Sequence, residues 1–292
     1  AMSKPIIDDR DWSALSIGEI LYNIEVEGYA VIPDLLSPEH IANLKERTSK
    51  LETRAVDYSI NQQTRSHLEF EGGVITDLIA HPPTLNMLAE LFGDRVIFTS
   101  FSYARSEPGH PGISLHTDGQ PYGSQIFGYE GSCPVLIRVL YYLDDLTSEV
   151  SPFRVVPRSH ISIHAESNPY LRYSSHPEEV MVLAKAGSAV FLNHKVFHGN
   201  FPNVGDHPRE MLAVGYRPAY AGPISYVDPW DPDDLEQLPE NIRPLFGDPN
   251  TRKWSFAGGN KPTDMKSEAP GIDPSRWKRS DSTIGEFVRQ SS

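Results

Sequence analysis

The 292-residue chain has one cysteine, Cys133, so it can form no internal disulfide. A lone thiol suits a reducing compartment, and a cytoplasmic location is expected. Cys133 itself reads as a small buried hydrophobe rather than a reactive group. No apolar stretch reaches the roughly eighteen residues that a membrane-spanning helix needs. The N-terminus, Ala1-Met2-Ser3-Lys4, lacks the basic-then-apolar order of a signal peptide and reads as a vector remnant. Positive charge is scarce: 26 Lys and Arg stand against 39 Asp and Glu, a formal charge of −13. With no cluster of cations to neutralise phosphates, nucleic acid is not an expected partner. Internal repeats and low-complexity tracts are also absent. What remains, 39% hydrophobic and 10% aromatic residues, is enough for one large domain with a substantial core.

The first third reads as mixed. Residues 11–27 place Leu15, Ile17, Ile20, Leu21 and Ile24 at helical spacing, and 28–33 read as a short strand. Ser37 and Pro38 are an N-cap and first-turn pair for a helix to about residue 52, burying Ile41, Leu44 and Leu51. Residues 53–75 are polar and irregular, and a further helix spans about 83–92 and stops at Gly93. From Val96 the texture becomes β. Runs at 96–105, 113–118, 135–143, 153–156, 188–192 and 210–216 are rich in β-branched and aromatic residues and separated by turn residues. The fold class is therefore mainly β with flanking helices, a sandwich or barrel. The segment after Pro218 is rich in Pro, Asp and Trp, with a short helix expected over 235–245 and fraying over 279–292.

Within this β region, His116-Thr117-Asp118 puts an imidazole and a carboxylate on one face of an extended chain. With one more histidine these would form a facial triad, the arrangement that holds iron(II) and leaves the opposite side open. Alone the triplet means little, because with 11 histidines roughly one His-X-Asp arises by chance. His164-Ala165-Glu166 and His176-Pro177-Glu178 are similar patterns. A second constellation adds to it: an apolar run leads into His194, then His198-Gly199-Asn200, Asn203 and Arg209. His194 and His198 compete for the third ligand position, and the residues that follow His198 favour it.

The order His116-X-Asp118, Pro157-Arg158-Ser159-His160, His198-Gly199-Asn200, Asn203 and Arg209 resembles the phytanoyl-CoA dioxygenase family of Fe(II)/2-oxoglutarate oxygenases, over roughly residues 20–220. The resemblance implies a double-stranded β-helix, also called a jelly roll or cupin-like barrel. It divides one domain into a flank at 1–95, a catalytic core at 96–220 and an extension at 221–292 packing on the barrel. It implies Fe(II), 2-oxoglutarate and O2 as cofactor and co-substrates, with His116, Asp118 and His198 as ligands. Oxidation of a C–H bond in a small metabolite would accompany conversion of 2-oxoglutarate to succinate and CO2. Related halogenases carry a small residue in place of Asp118, so halogenation is not expected.

Other roles follow from the same resemblance. Arg209 would grip the distal carboxylate of 2-oxoglutarate with its guanidinium fork, unless it is a surface arginine in a turn. Asn200 stands where the family commonly has Ser and would also touch the co-substrate. Arg138 would point inward, either as a carboxylate ligand or as a buried ion-pair member. Tyr103 could donate to 2-oxoglutarate or simply pack. Gln120 and Tyr122, in the loop after the His-X-Asp strand, are candidate substrate contacts. Two departures stand out: Arg158 replaces a family glycine, and Ser151-Pro152-Phe153 lacks the usual Asn-Gly. The rival readings are a cupin-fold Zn or Mn enzyme of non-oxidative chemistry and a metal-free binding module. Oligomeric state is open.

Overall fold

Serine caps set where the N-terminal helices begin. Ser16 accepts from the Glu19 amide while Glu19 accepts from the Ser16 amide, a capping box that starts α1, Ile17–Tyr22. The helix expected over 11–27 is therefore interrupted: residues 12–14 form a separate turn. Beyond Tyr22 the chain widens into Asn23–Glu27 and stops at Gly28, whose φ is 92°. Ser37 caps α2, Pro38–Thr48, through the His40 amide. The short α3, Gly73–Asp77, precedes α4, Pro82–Phe92, which ends at Gly93.

The structure, a computed structural model, describes residues 5–93, 95–118, 135–161, 175–223 and 227–248. Contacts divide the chain into Ala1–Asn250 and Thr251–Ser292, and the second unit lies outside the described residues. Among those described, the strands are β1 (Ile6–Asp8), β2 (Tyr29–Ile32), β3 (Arg54–Val56), β4 (Ser59–Ser66), β5 (Val96–Ser106) and β6 (Ile113–His116). They continue with β7 (Ile137–Tyr142), β8 (Phe153–Val156), β9 (Val180–Val182), β10 (Ala189–Asn193), β11 (Phe197–Asn200) and β12 (Arg209–Pro218). One sheet has the order β1-β9-β8-β11-β6, the other β2-β10-β7-β12-β5-β4-β3. All pairings are antiparallel except β1 with β9. This is the double-stranded β-helix arrangement, with short strands alternating between two facing sheets. Both sheets feed one apolar core, which includes Tyr29, Val139 and Phe191 from the larger and Phe153, Val155 and Val182 from the smaller.

The irregular stretch expected at 53–75 is instead the hairpin β3–β4, followed by α3. Its strand character is hard to see because Ser59–Ser66 reads SINQQTRS: pairing with β5, through Gln62↔Ser106 and its neighbours, holds a polar strand next to the edge strand β3. After β12, the chain returns over the large sheet as α5 (Pro232–Gln237) and a turn at Arg243–Phe246. Phe246 stacks on Phe98 of β5 at 4.6 Å between ring centroids and meets Trp230 at 5.0 Å. No helix among the described residues is long and apolar enough to cross a membrane.

Phe246 is a core residue by this packing. Phe246→Ala should cost about 3 kcal/mol of unfolding free energy, read as a lower urea midpoint at unchanged slope. An unchanged midpoint would mean that residues beyond β12 add nothing to the core.

Candidate metal centre

His116 ends β6 and His198 sits in β11, and the two are direct cross-strand partners. Their rings lie 4.4 Å apart between centroids. Asp118, two residues past His116, is anchored by its amide, which donates to the His194 carbonyl at 2.8 Å. Its Oδ1 lies 3.7 Å from His116 Nε2, and its Oδ2 lies 3.6 Å from His198 Nε2. One ligand atom from each of the three residues falls within 4.8 Å of the others, the only such group found among the described residues.

The tautomers are set by backbone. His116 Nδ1 donates to the Ser114 carbonyl at 2.9 Å, and His198 Nδ1 donates to the Val196 carbonyl at 3.0 Å. Since a carbonyl can only accept, each Nε2 carries the free lone pair, the state a metal requires. Two glycines let these carbonyls approach. A Cβ on Gly199 would lie 2.3 Å from the Ile113 oxygen and 2.9 Å from the Ser114 oxygen. A Cβ on Gly28 would lie 2.7 Å from a methyl of Val196. The Pro157–His160 turn braces the same strand, for Ser159 Oγ accepts from the Phe197 amide at 2.8 Å.

His194 is not part of the group. It lies in a turn between β10 and β11, not on a strand beside His198. It is buried, with Nδ1 on the Leu136 carbonyl at 3.1 Å.

The ligand atoms come from the small sheet and the cations from the large one. Arg138 of β7 donates through Nη1 to Asp118 Oδ2 at 3.0 Å. Burial opposes ionisation of Asp118, but Arg138 and then the two histidines outweigh it and hold the carboxyl well below the usual carboxylate range. Burial, reinforced by His116, takes His198 down to about 4, which keeps its imidazole neutral. Of the two roles expected for Arg138, the structure supplies the ion pair, with a metal-ligating candidate as its partner.

Arg209 opens β12 and is fully buried, which removes the surface-arginine reading. Among the described residues only its Nη2 is hydrogen-bonded, to Ser106 Oγ at 3.1 Å and Ser151 Oγ at 3.3 Å, while Nε and Nη1 have no partner there. Its guanidinium carbon lies 5.6 Å from the Tyr142 ring centroid. Among the described residues the Tyr142 hydroxyl also has no partner in hydrogen-bonding geometry, and burial pushes it up to about 12, with the Asn200 side chain as its neighbour. Asn200 is two residues beyond His198 on the same strand face and donates to the Ser151 carbonyl at 3.4 Å. Buried polar atoms without partners are costly, and a charged donor is the costliest. A carboxylate group entering beside the three ligand residues would satisfy these donors, so the residues fit 2-oxoglutarate.

Tyr103 requires a correction. Its hydroxyl donates to Glu210 Oε2 at 2.6 Å. Ser102 and Ser106 of β5 contact Arg138 and Arg209, so the even-numbered face of that strand looks at the site and Tyr103 looks the other way. Asn203 is a clamp for the turn before Arg209, donating to the carbonyls of Ser106 and His207 at 2.9 and 3.0 Å. The two departures from the family pattern, Ser151 (φ 46°) and Arg158 (φ 64°), both sit in the left-handed region where glycine is usual. Arg158 offsets part of that strain by pairing with Glu27 at 2.9 Å. Gln120, Tyr122 and Cys133 lie outside the described residues. His110, which the sequence does not single out, is 1% exposed, and neither ring nitrogen has a partner among the described residues. Its only trace in the chain is a histidine enclosed by Gly109, Pro111 and Gly112.

Side chains of Asp118 and Arg138 are 17% and 26% exposed, so their pairing is largely withdrawn from water. Arg138→Met should destabilise the metal-free protein by about 2 kcal/mol by leaving Asp118 uncompensated. Adding Ni(II) should raise its melting temperature more than that of the unaltered chain. Equal metal-induced shifts in the two proteins would mean that Arg138 does not neutralise Asp118.

Residues 24–211, more than half of the chain, match the profile of phytanoyl-CoA dioxygenase (PhyH). Dioxygenase trt7 of Aspergillus terreus is 21% identical over 216 residues, covering 69% of this chain and 73% of that protein. HygX from Streptomyces hygroscopicus, solved with nickel and 2-oxoglutarate bound, superposes with a TM-score of 0.59 at 20% identity over 70% of this chain and 88% of that one. SnoN, an α-ketoglutarate-dependent epimerase from nogalamycin biosynthesis, gives 0.57 at 17% identity over 72% and 82%. The family profile covers the strands that bear the two histidines, the aspartate and Arg209, and on that match the chain belongs to the phytanoyl-CoA dioxygenase family and is an enzyme of the Fe(II)/2-oxoglutarate oxygenase type.

Proposed function

We propose that the protein oxidises a C–H bond of a small-molecule metabolite while 2-oxoglutarate becomes succinate and CO2. The observation that carries this reading is the buried guanidinium of Arg209, with two nitrogens unpartnered among the described residues, in a chain that also gathers two histidines and an aspartate into one group. A metal-only hydrolase or a binding barrel has no use for that cation. HygX has been solved with hygromycin B and SnoN with nogalamycin RO, which favours a compact organic substrate here as well.

The residues divide the work. His116 and His198 offer Nε2 lone pairs and Asp118 a carboxylate oxygen for Fe(II), and Arg138 keeps that carboxylate ionised and oriented. The Arg209 guanidinium holds the distal carboxylate of 2-oxoglutarate, with Asn200 and Tyr142 beside it. Bound iron with 2-oxoglutarate and O2 supplies the oxidising power, and the protein supplies position and a dry wall. Gln120 and Tyr122, next in sequence after the Asp118 ligand, are assigned to substrate. Hydroxylation is the simplest outcome. A carbocyclase and an epimerase share this fold, so ring closure or epimerisation at the same carbon is the alternative. The lone cysteine leads us to place the enzyme in the cytoplasm.

The test is succinate release from 2-oxoglutarate by the Fe(II)-loaded protein. Arg209→Ala should raise the 2-oxoglutarate requirement on the order of a hundredfold, the loss of a charge-assisted pair, with iron stoichiometry unchanged. Unaltered co-substrate affinity in that variant would move the anchor to Arg138.

A further inference from the structure

His110 is held in place by its backbone. Its amide donates to the Glu107 carbonyl at 3.0 Å, and its own carbonyl accepts from the Asn203 amide at 2.9 Å. The Gly109 amide donates to the Asn203 carbonyl at 2.8 Å, so this loop is stitched to the segment leading into Arg209. Gly112 closes the loop at a φ of 91°, where a Cβ would lie 2.6 Å from the Asn200 carbonyl oxygen. The loop therefore bridges β5, which contributes Ser106, and β6, which contributes His116.

The ring itself has nothing to bond. Both of its nitrogens lack partners among the described residues, and its nearest aromatic neighbour, Tyr58, is 6.2 Å away between centroids. Burial takes His110 down to about 4, and the charge of Arg209 pushes the same way. The imidazole is thus neutral near pH 7 and carries one N–H to donate. Twelve buried side-chain polar atoms in the described residues have no partner, and five of them belong to Arg209, Tyr142 and His110. Arg209 lies against Tyr142, and the His110 loop is stitched to the segment leading into Arg209, so these atoms together call for a ligand with several acceptor lone pairs.

We propose that His110 is a further co-substrate-binding residue, its imidazole N–H donating to the distal carboxylate of 2-oxoglutarate beside Arg209 and the Tyr142 hydroxyl. The proposal rests on the co-substrate reading above and adds a neutral donor to a charged one. A carboxylate has about four lone-pair sites, so a guanidinium fork leaves room for two more donors. The histidine raises affinity for a dicarboxylic oxo acid without adding charge near the metal ligands.

The test is an anaerobic titration of the Fe(II)-loaded protein, reading the visible charge-transfer band that a chelated 2-oxo acid gives with iron. Two ligands are compared: 2-oxoglutarate, and 2-oxobutyrate, which has no distal carboxylate. His110→Phe should weaken 2-oxoglutarate roughly ten- to a hundredfold, the range for a hydrogen bond to a charged group. It should leave 2-oxobutyrate unchanged, and His110→Gln, which keeps a donor, should recover most of the loss. Unchanged 2-oxoglutarate binding in His110→Phe, or an equal loss for both ligands, would overturn the assignment. Absence of any band with 2-oxoglutarate in the unaltered protein would instead sink the co-substrate reading beneath it.

Discussion

The site depends on one register: His116 on β6 opposite His198 on β11. Antiparallel partners with side chains on one face bring their Cβ atoms within about 5.5 Å, close enough for two imidazoles to reach one ion. That pairing tolerates no side chain at Gly199, because the Ile113 and Ser114 carbonyls fill the space where one would stand. The Ser114 carbonyl is also what orients His116. Pairing, glycine and tautomer are one constraint. Slipping the pair by one residue would turn a histidine to the far face of the sheet.

The second organising feature is a division of charge between the sheets. The small sheet supplies both histidines, with Asp118 just beyond β6, and the large sheet supplies Arg138 and Arg209. The two arginines are used differently. Arg138 is paired with Asp118 and so contributes to holding a ligand. Among the described residues Arg209 is hydrogen-bonded only by the Ser106 and Ser151 hydroxyls, and its Nε and Nη1 have no partner there. Arg138 has a carboxylate partner and is partly exposed, whereas Arg209 is fully buried with only hydroxyls to bond, so Arg209 has more to gain from an entering anion.

Much of the fold was readable along the chain. The 153–156 strand was bounded to the residue, and the Ser37-Pro38 start and the Gly93 stop followed from capping chemistry alone. Elements whose side chains do not advertise them were lost. Strand β11 contains only Phe-His-Gly-Asn, too short and too mixed for a periodicity, and β4 is polar because it lies near the edge. The facing of β5 was read one residue out. Alternation says that Tyr103 and Ser102 oppose each other, but only pairing with β12 says which of them looks at the site.

By its sequence alone the chain determined the chemistry available: two imidazoles, a carboxylate and a distant arginine in an order that names a family. It also marked the start of α2 at Ser37-Pro38, because caps act over three or four residues. Tertiary structure decided which partners those groups have. It paired Arg138 with Asp118, buried Arg209 against Ser106, Ser151 and Tyr142, turned Tyr103 onto Glu210 and enclosed His110 in a loop stitched to the segment leading into Arg209. These outcomes follow from pairings between strands far apart in the chain, and no local pattern of residues encodes the register that two distant strands adopt.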